Sequence, residues 1–133
     1  MIKSILAILA GFAAWSVLWL AGNAALGALF PAQFDAQGFT RSAAILVTVL
    51  ATSVVESLIA GYLTALVARR APVKHALVLG LIQLGIGIAV QASVWERIPV
   101  WYHLSFLALL LPAHVMGGIL RAERRPRALA SPA

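Results

Sequence analysis

Ionisable residues inside apolar segments are the first sign of chemistry in this sequence. Glu56 lies near the middle of the apolar stretch of residues 43–67. A charged carboxylate at the centre of a bilayer costs at least about 2.5 kcal/mol, so it should be neutral, paired or lining water. Because intramembrane ionisable residues commonly mark proton or ion pathways, Glu56 is a candidate proton or cation site.

Small and polar residues recur around Glu56 at helical spacing, which indicates a face that avoids lipid. The set on this stretch comprises Thr48, Thr52, Glu56, Ala60 and Thr64. A matching set on the next apolar stretch comprises Gly80, Gln83, Gly87 and Gln91. Small residues allow helices to approach closely, and polar ones can hydrogen-bond between helices. Paired glycines at Gly117-Gly118 predict another close helix crossing.

Three of these side chains are predicted to lie at a similar depth in the membrane. At about 1.5 Å per residue, Glu56, Gln83 and His114 share a layer roughly 6 Å thick if the helices are upright. Thr52 precedes Glu56 by one helical turn. We therefore define a candidate binding layer of Glu56, Gln83, His114 and Thr52. We favour a role in hydrogen bonding between helices, because a single carboxylate is a small set of groups for a proton or ion pathway. The alternative is a proton or cation site.

Other chemistry finds little support in the sequence. The chain has no cysteine, and it contains no phosphate loop, nucleophile elbow or HExxH motif. Haem held by two histidines needs both rings at one depth in the membrane. His103 and His114 are separated by about 16 Å along one helix, and His75 lies about 9 Å closer to the cytoplasmic side than His114. These separations argue against haem held within one chain. We expect no catalytic residue, no metal, no cofactor and no enzymatic activity.

The composition is that of a membrane protein. Of 133 residues, 62% are hydrophobic and 11% are charged, with a mean hydropathy of +0.98. Soluble domains have about 25% charged residues, and a soluble fold this apolar could not cover its surface. The formal charge of +6 does not indicate a nucleic-acid partner, because the basic residues lie at the ends of apolar runs.

Four apolar stretches approach the ~20 residues that a helix needs to cross a bilayer. They cover about 5–27, 43–67, 76–94 and 100–120, which predicts an all-α, four-transmembrane-helix bundle over residues 1–120. Residues 121–133 form a basic cytoplasmic tail in this interpretation. A cleaved signal peptide at the first stretch is an alternative, although its apolar run is longer than usual.

The basic residues predict the orientation of these spans. If the spans alternate, one side carries Lys3, Arg69, Arg70, Lys74, Arg121, Arg124, Arg125 and Arg127, and the other carries Arg41 and Arg97. This bias places both termini in the cytoplasm. The short connections make spans two and three antiparallel neighbours, and spans three and four a second antiparallel hairpin.

Several segments together resemble a family of small, uncharacterised four-helix bacterial inner-membrane proteins. They are residues 96–104 (ERIPVWYHL), Lys3–Leu6 and the region of Ala60, Gly61 and Tyr62. The likeness covers most of the chain and implies location and topology, not an activity. Independently of this resemblance, we expect a structural or accessory protein of the lipid bilayer that packs with itself, as a homodimer, or with a larger membrane partner. The alternative is a proton-coupled transporter or channel that uses Glu56.

Overall fold

A computed structural model describes residues 2–68 and 70–124 of the chain. Within these residues there are four α-helices: α1 (Ile2–Leu29), α2 (Ala43–Ala68), α3 (Pro72–Ser93) and α4 (Val100–Glu123). A single 3-10 turn, Pro31–Gln33, follows α1. Met1, Arg69 and residues 125–133 lie outside the described residues, and with them most of the predicted basic tail.

All four helices are long and apolar enough to cross a membrane. They have 22 to 28 residues, and their most apolar 18-residue windows have mean hydropathies between 1.7 and 2.1. At about 1.5 Å per residue, even the shortest exceeds the ~30 Å of a hydrocarbon core. The prediction of an all-helical chain with four candidate membrane spans is confirmed for the described residues.

The helices differ in how closely they pack. α2 and α4 share the most extensive interface, followed by α1 on α2 and by α3 on α4, whereas α1 and α3 have little contact. At one end of the α2–α4 interface lies a hydrophobic cluster, made of Ile45, Leu46, Val49, Tyr102, Phe106 and Leu110. The gap between α1 and α3 is therefore the least filled side of the bundle.

Glycines set the closest helix contacts. A Cβ added to Gly61 would overlap the backbone of His114, and one added to Gly117 would overlap the carbonyl of Leu58, so α2 and α4 touch backbone to backbone. A Cβ on Gly118 would lie 2.6 Å from the Ala76 side chain on α3. The close crossing predicted at Gly117 and Gly118 is confirmed.

The inward face predicted for α3 is also confirmed. Its buried residues include Gly80, Gln83, Gly87 and Gln91. Gly80 lies against the side chains of Leu111 and His114, and Gly87 lies against those of Leu107 and Leu110. The small and polar spacing on this helix correctly indicated which side meets α4.

Two connections meet at one end of the bundle. In the loop after α1, one carboxylate oxygen of Asp35 accepts hydrogen bonds from the backbone N–H groups of Gln37 and Phe39. The Arg97 guanidinium, from the loop before α4, lies 4.8 Å from the centre of the Phe39 ring. Arg41 reaches the same loop and donates to the carbonyl of Glu96 at 2.6 Å.

The glycine contacts predict that one alanine substitution lowers stability and that another does not. Gly61→Ala should lower the free energy of unfolding by about 1–3 kcal/mol, because backbone cannot move aside as a flexible side chain can. Gly85→Ala is the matched control, since an added Cβ there meets nothing within 4 Å, and it should not lower stability. Unfolding in mixed detergent micelles, followed by circular dichroism, measures both. Equal stability of Gly61→Ala and the wild type would contradict the α2–α4 contact.

Candidate functional site

Glu56 is buried on α2 and faces α1. Its side chain is 7% exposed, and a Cβ added to Gly22 on α1 would lie 3.2 Å from its Oε1. Its Oε2 is buried and has no hydrogen-bond partner among the described residues. The adjacent Ser57 hydroxyl, in contrast, accepts a 3.0 Å hydrogen bond from the indole N–H of Trp15. α1 thus meets this region of α2 through one hydrogen bond and one glycine.

His114 is fully buried between α2 and α3. Its Nδ1 lies 2.7 Å from the carbonyl oxygen of Leu110. A carbonyl can only accept, so Nδ1 carries the proton and donates it. Nε2 has no partner in the described part of the chain, and a second proton there would create a buried cation without an acceptor. The geometry therefore favours the neutral imidazole.

Gln83 is 4% exposed, and neither amide atom has a hydrogen-bond partner among the described residues. The same is true of the hydroxyl of Thr64, on the inward side of α2. Within residues 2–68 and 70–124, no hydrogen bond joins Glu56, Gln83 and His114 to one another. All three side chains are buried, but they do not form one hydrogen-bonded network.

Thr52 has a different position from the rest of the candidate layer. It is exposed, and its hydroxyl donates to the carbonyl of Val49 on its own helix at 3.0 Å. Thr48 is likewise exposed and donates to Ala44 at 2.9 Å. Such local bonds satisfy a hydroxyl without a second helix. The predicted polar face of α2 is therefore buried at Glu56, Ala60 and Thr64 only.

The best-connected polar side chain is His103, which sequence reasoning considered only as a poor haem ligand. It is fully buried, and its Nδ1 pairs with the Gln91 side-chain oxygen at 2.5 Å. Its Nε2 lies 3.2 Å and 3.1 Å from the carbonyl oxygens of Trp95 and Ile98. The Trp95 indole stacks on the ring with centroids 4.7 Å apart. His103 thus ties α3, the connection and α4 together.

A cavity of about 200 Å³ lies between α1, α3 and α4. Of the four candidate layer residues, only Gln83 lines it. The other lining residues are Phe12, Trp15, Ser16, Trp19, Ile86, Gly87, Val90, Gln91, Phe106 and Leu110. This space is apolar and aromatic, and neither Glu56 nor His114 forms part of its wall.

The described residues contain no group of three or more His, Asp or Glu side chains that could hold a metal ion. Comparisons with protein-family models, with curated proteins and with solved structures find no match to this chain.

The His103 contacts predict that removal of this ring loosens the α3–α4 connection. His103→Leu leaves the Gln91 amide and two carbonyl groups without their partner, at a cost of about 1–3 kcal/mol. Hydrogen exchange should become faster at the hydrogen-bonded amides of Val94 and Arg97. His75→Leu is the control, because His75 is less buried and its ring bonds to the carbonyl of Ala71, the residue just before its own helix. Unchanged protection in His103→Leu would contradict the structural role of this ring.

Proposed function

We propose that this chain is a structural or accessory protein of a bacterial cytoplasmic membrane, without enzymatic activity, that packs against a second copy or a larger membrane protein. Four apolar helices are compatible with a small membrane protein. Membership in the family of small four-helix inner-membrane proteins is part of this proposal, and it rests on the sequence segments that carry the resemblance.

The proposed topology is two antiparallel hairpins with both termini in the cytoplasm. The contacts between α3 and α4 support it: Gly118 meets Ala76, Gly80 meets His114 and Gly87 meets Leu110, so that later residues of one helix face earlier residues of the other. The loops that hold Arg41 and Arg97 touch, as they should if both face outward. The excess of Lys and Arg on the opposite side supports the orientation.

The exposed small-residue face of α1 is the feature that most directly supports a packing role. Among its described residues, α1 buries only Ala7 and Gly11. One side of the helix is exposed at Ala10, Ala13, Ala21, Ala24 and Ala28, with Val17 as the large residue between Ala13 and Ala21. Lipid chains pack against large apolar side chains as well as a protein does, whereas small residues let another helix come close. This face therefore suits a partner helix better than lipid.

α3 has a second face of the same kind. Gly85, Ala89 and Ala92 are exposed and recur at helical spacing, on the side opposite the buried Gly80, Gln83 and Gly87. Gly85 and Ala89 form a small-xxx-small pair, the spacing found at close helix contacts in membranes. Small-residue faces on two helices favour an accessory, packing role over a self-contained bundle.

The absence of cysteine allows a direct test of these faces. We expect Ala89→Cys or Ala24→Cys to form a disulfide-linked dimer when membranes are oxidised, because a disulfide needs Cα atoms within about 7 Å. Adding Gly85→Leu should abolish the product at Ala89→Cys. Non-reducing electrophoresis measures the fraction cross-linked.

The control for this experiment is Val55→Cys on α2. Val55 is a large apolar residue with 53% of its surface exposed, so lipid can cover it. Cross-linking at Val55→Cys equal to that at Ala89→Cys would indicate random collisions and contradict the proposal. So would the lack of any product, with itself or with another membrane protein, from both small-residue faces.

The unpartnered, buried carboxylate of Glu56 supports a second candidate function, a proton-coupled transporter or channel. Glu56→Gln preserves shape and removes the titratable group. Under the accessory role, this variant should retain wild-type proton flux in proteoliposomes and wild-type stability, because the wild-type Oε2 has no hydrogen bond to lose. Ser57→Ala, which removes the bond to Trp15, is the stability control. A proton flux that the wild type supports and Glu56→Gln abolishes would favour the transporter instead.

A further inference from the structure

Three cavities of the described structure follow one another from the gap between α1 and α3 to the connections at the end of the bundle that holds Arg41 and Arg97. The inner cavity is the space of about 200 Å³ near Trp15 and Gln83. A middle cavity of about 210 Å³ shares Trp19, Val90 and Gln91 with it. An outer cleft of about 360 Å³ lies beyond the middle cavity. The residues that line both of these are Phe34, Phe39 and Thr40. We call these three spaces together the α1–α3 track.

The chemistry of the track changes from one end to the other. Arg41, Arg97 and Asp35 line the outer cleft. The middle cavity has the neutral polar side chains of Asn23 and Gln91 among apolar ones. The inner cavity is lined mainly by aromatic and aliphatic side chains. A molecule that fits this order is charged at one end and apolar at the other.

Aromatic side chains keep the track open. Trp15 and Trp19 stack with ring centroids 5.2 Å apart, and Trp19 meets Phe106 at 5.4 Å. These rings occupy the place where α1 could otherwise approach α3 and α4. Val90 and Ile86, which line the inner cavity, are 54% and 47% exposed, so the track is open sideways to the surrounding membrane.

The two arginines of the outer cleft are held in place by neutral groups. Arg41 donates to the Glu96 carbonyl, and Arg97 lies over the Phe39 ring. Neither contact neutralises the guanidinium charge, and each guanidinium has further N–H groups to donate. Two such groups in one cleft match a phosphate, which arginine binds with paired hydrogen bonds. Asp35 uses one oxygen for backbone N–H groups, so its other oxygen can accept from an ammonium.

We propose that the α1–α3 track binds one membrane phospholipid. Its phosphate lies between Arg41 and Arg97, and one hydrocarbon chain runs through the middle cavity into the inner cavity. An ethanolamine head would also place its ammonium near Asp35. The inner and middle cavities, of about 200 and 210 Å³, are each larger than the apolar cavity of about 150 Å³ that holds a benzene ring. This site does not depend on whether the small-residue faces of α1 and α3 bind a partner.

Tryptophan fluorescence tests this proposal. With Trp95→Phe and Trp101→Phe, the remaining Trp15 and Trp19 both line the track. The protein is reconstituted in phosphatidylcholine bilayers that contain either phosphatidylethanolamine or diacylglycerol with brominated chains. Bromine quenches nearby indoles, so the apparent binding constant of each lipid can be compared. We expect the phospholipid to bind more tightly than the diacylglycerol.

Two sets of variants, each with its own control, separate a bound lipid from general contact with the bilayer. Arg41→Gln and Arg97→Gln should each reduce the preference for the phospholipid by roughly fivefold, whereas Arg124→Gln, on the last turn of α4, should not. Val90→Phe should block the track where the inner and middle cavities meet and reduce quenching by both lipids. Ile88→Phe is its control, because Ile88 is equally exposed, at 52%, and lines none of the three cavities.

Equal quenching by the two lipids would overturn the proposal. A preference that survives in the double variant of Arg41 and Arg97 would also overturn the assignment of the phosphate. The same holds for identical quenching in Val90→Phe and Ile88→Phe. All substituted side chains are exposed, and circular dichroism of each variant checks that the helices are retained.

Discussion

The approach of α2 to α4 at Gly61 and Gly117 is the contact on which the positions of the other helices depend. Backbone meets backbone there, so the two helices cannot slide or rotate without a clash. Further along the same interface, Tyr102 and Phe106 fill the space beside Leu46 and Val49. Glycines at one end and aromatic rings at the other fix both the separation and the register of this pair, and α1 and α3 pack on its two sides.

Large aromatic residues on α1 have the opposite effect. Trp15 is anchored to α2 by its bond to Ser57, and it holds Trp19 against Phe106 through the stacked pair. α1 therefore follows α2 closely, while its far side stands away from α3. The same helix has exposed alanines on the side away from these tryptophans. The stacked tryptophans account for the open gap, and the exposed alanines account for the small-residue surface.

Apolar length and small-residue spacing were sufficient to predict four candidate spans, the buried face of α3 and the crossing at Gly117. They could not predict which way α2 turns at Thr48 and Thr52, because a hydroxyl that bonds to its own helix is compatible with either side. The depth of Glu56, Gln83 and His114 was estimated from residue counts. Whether they bond depends on rotation about each helix axis, which hydropathy does not specify. His103 was missed because its partners include two backbone carbonyls in a connection.

The contrast between His103 and His114 indicates which end of the bundle has side-chain hydrogen bonds between different segments of the chain. Both rings are fully buried, but His103 engages both nitrogens across three segments of the chain, whereas His114 bonds only to its own helix. A network that joins different segments fixes their relative positions, while a bond within one helix does not. In the described structure, most side-chain hydrogen bonds between different segments thus lie at the end that holds Arg41, Arg97 and Gln91. The middle cavity and the outer cleft also meet at this end, which is where the proposed lipid site places the phosphate.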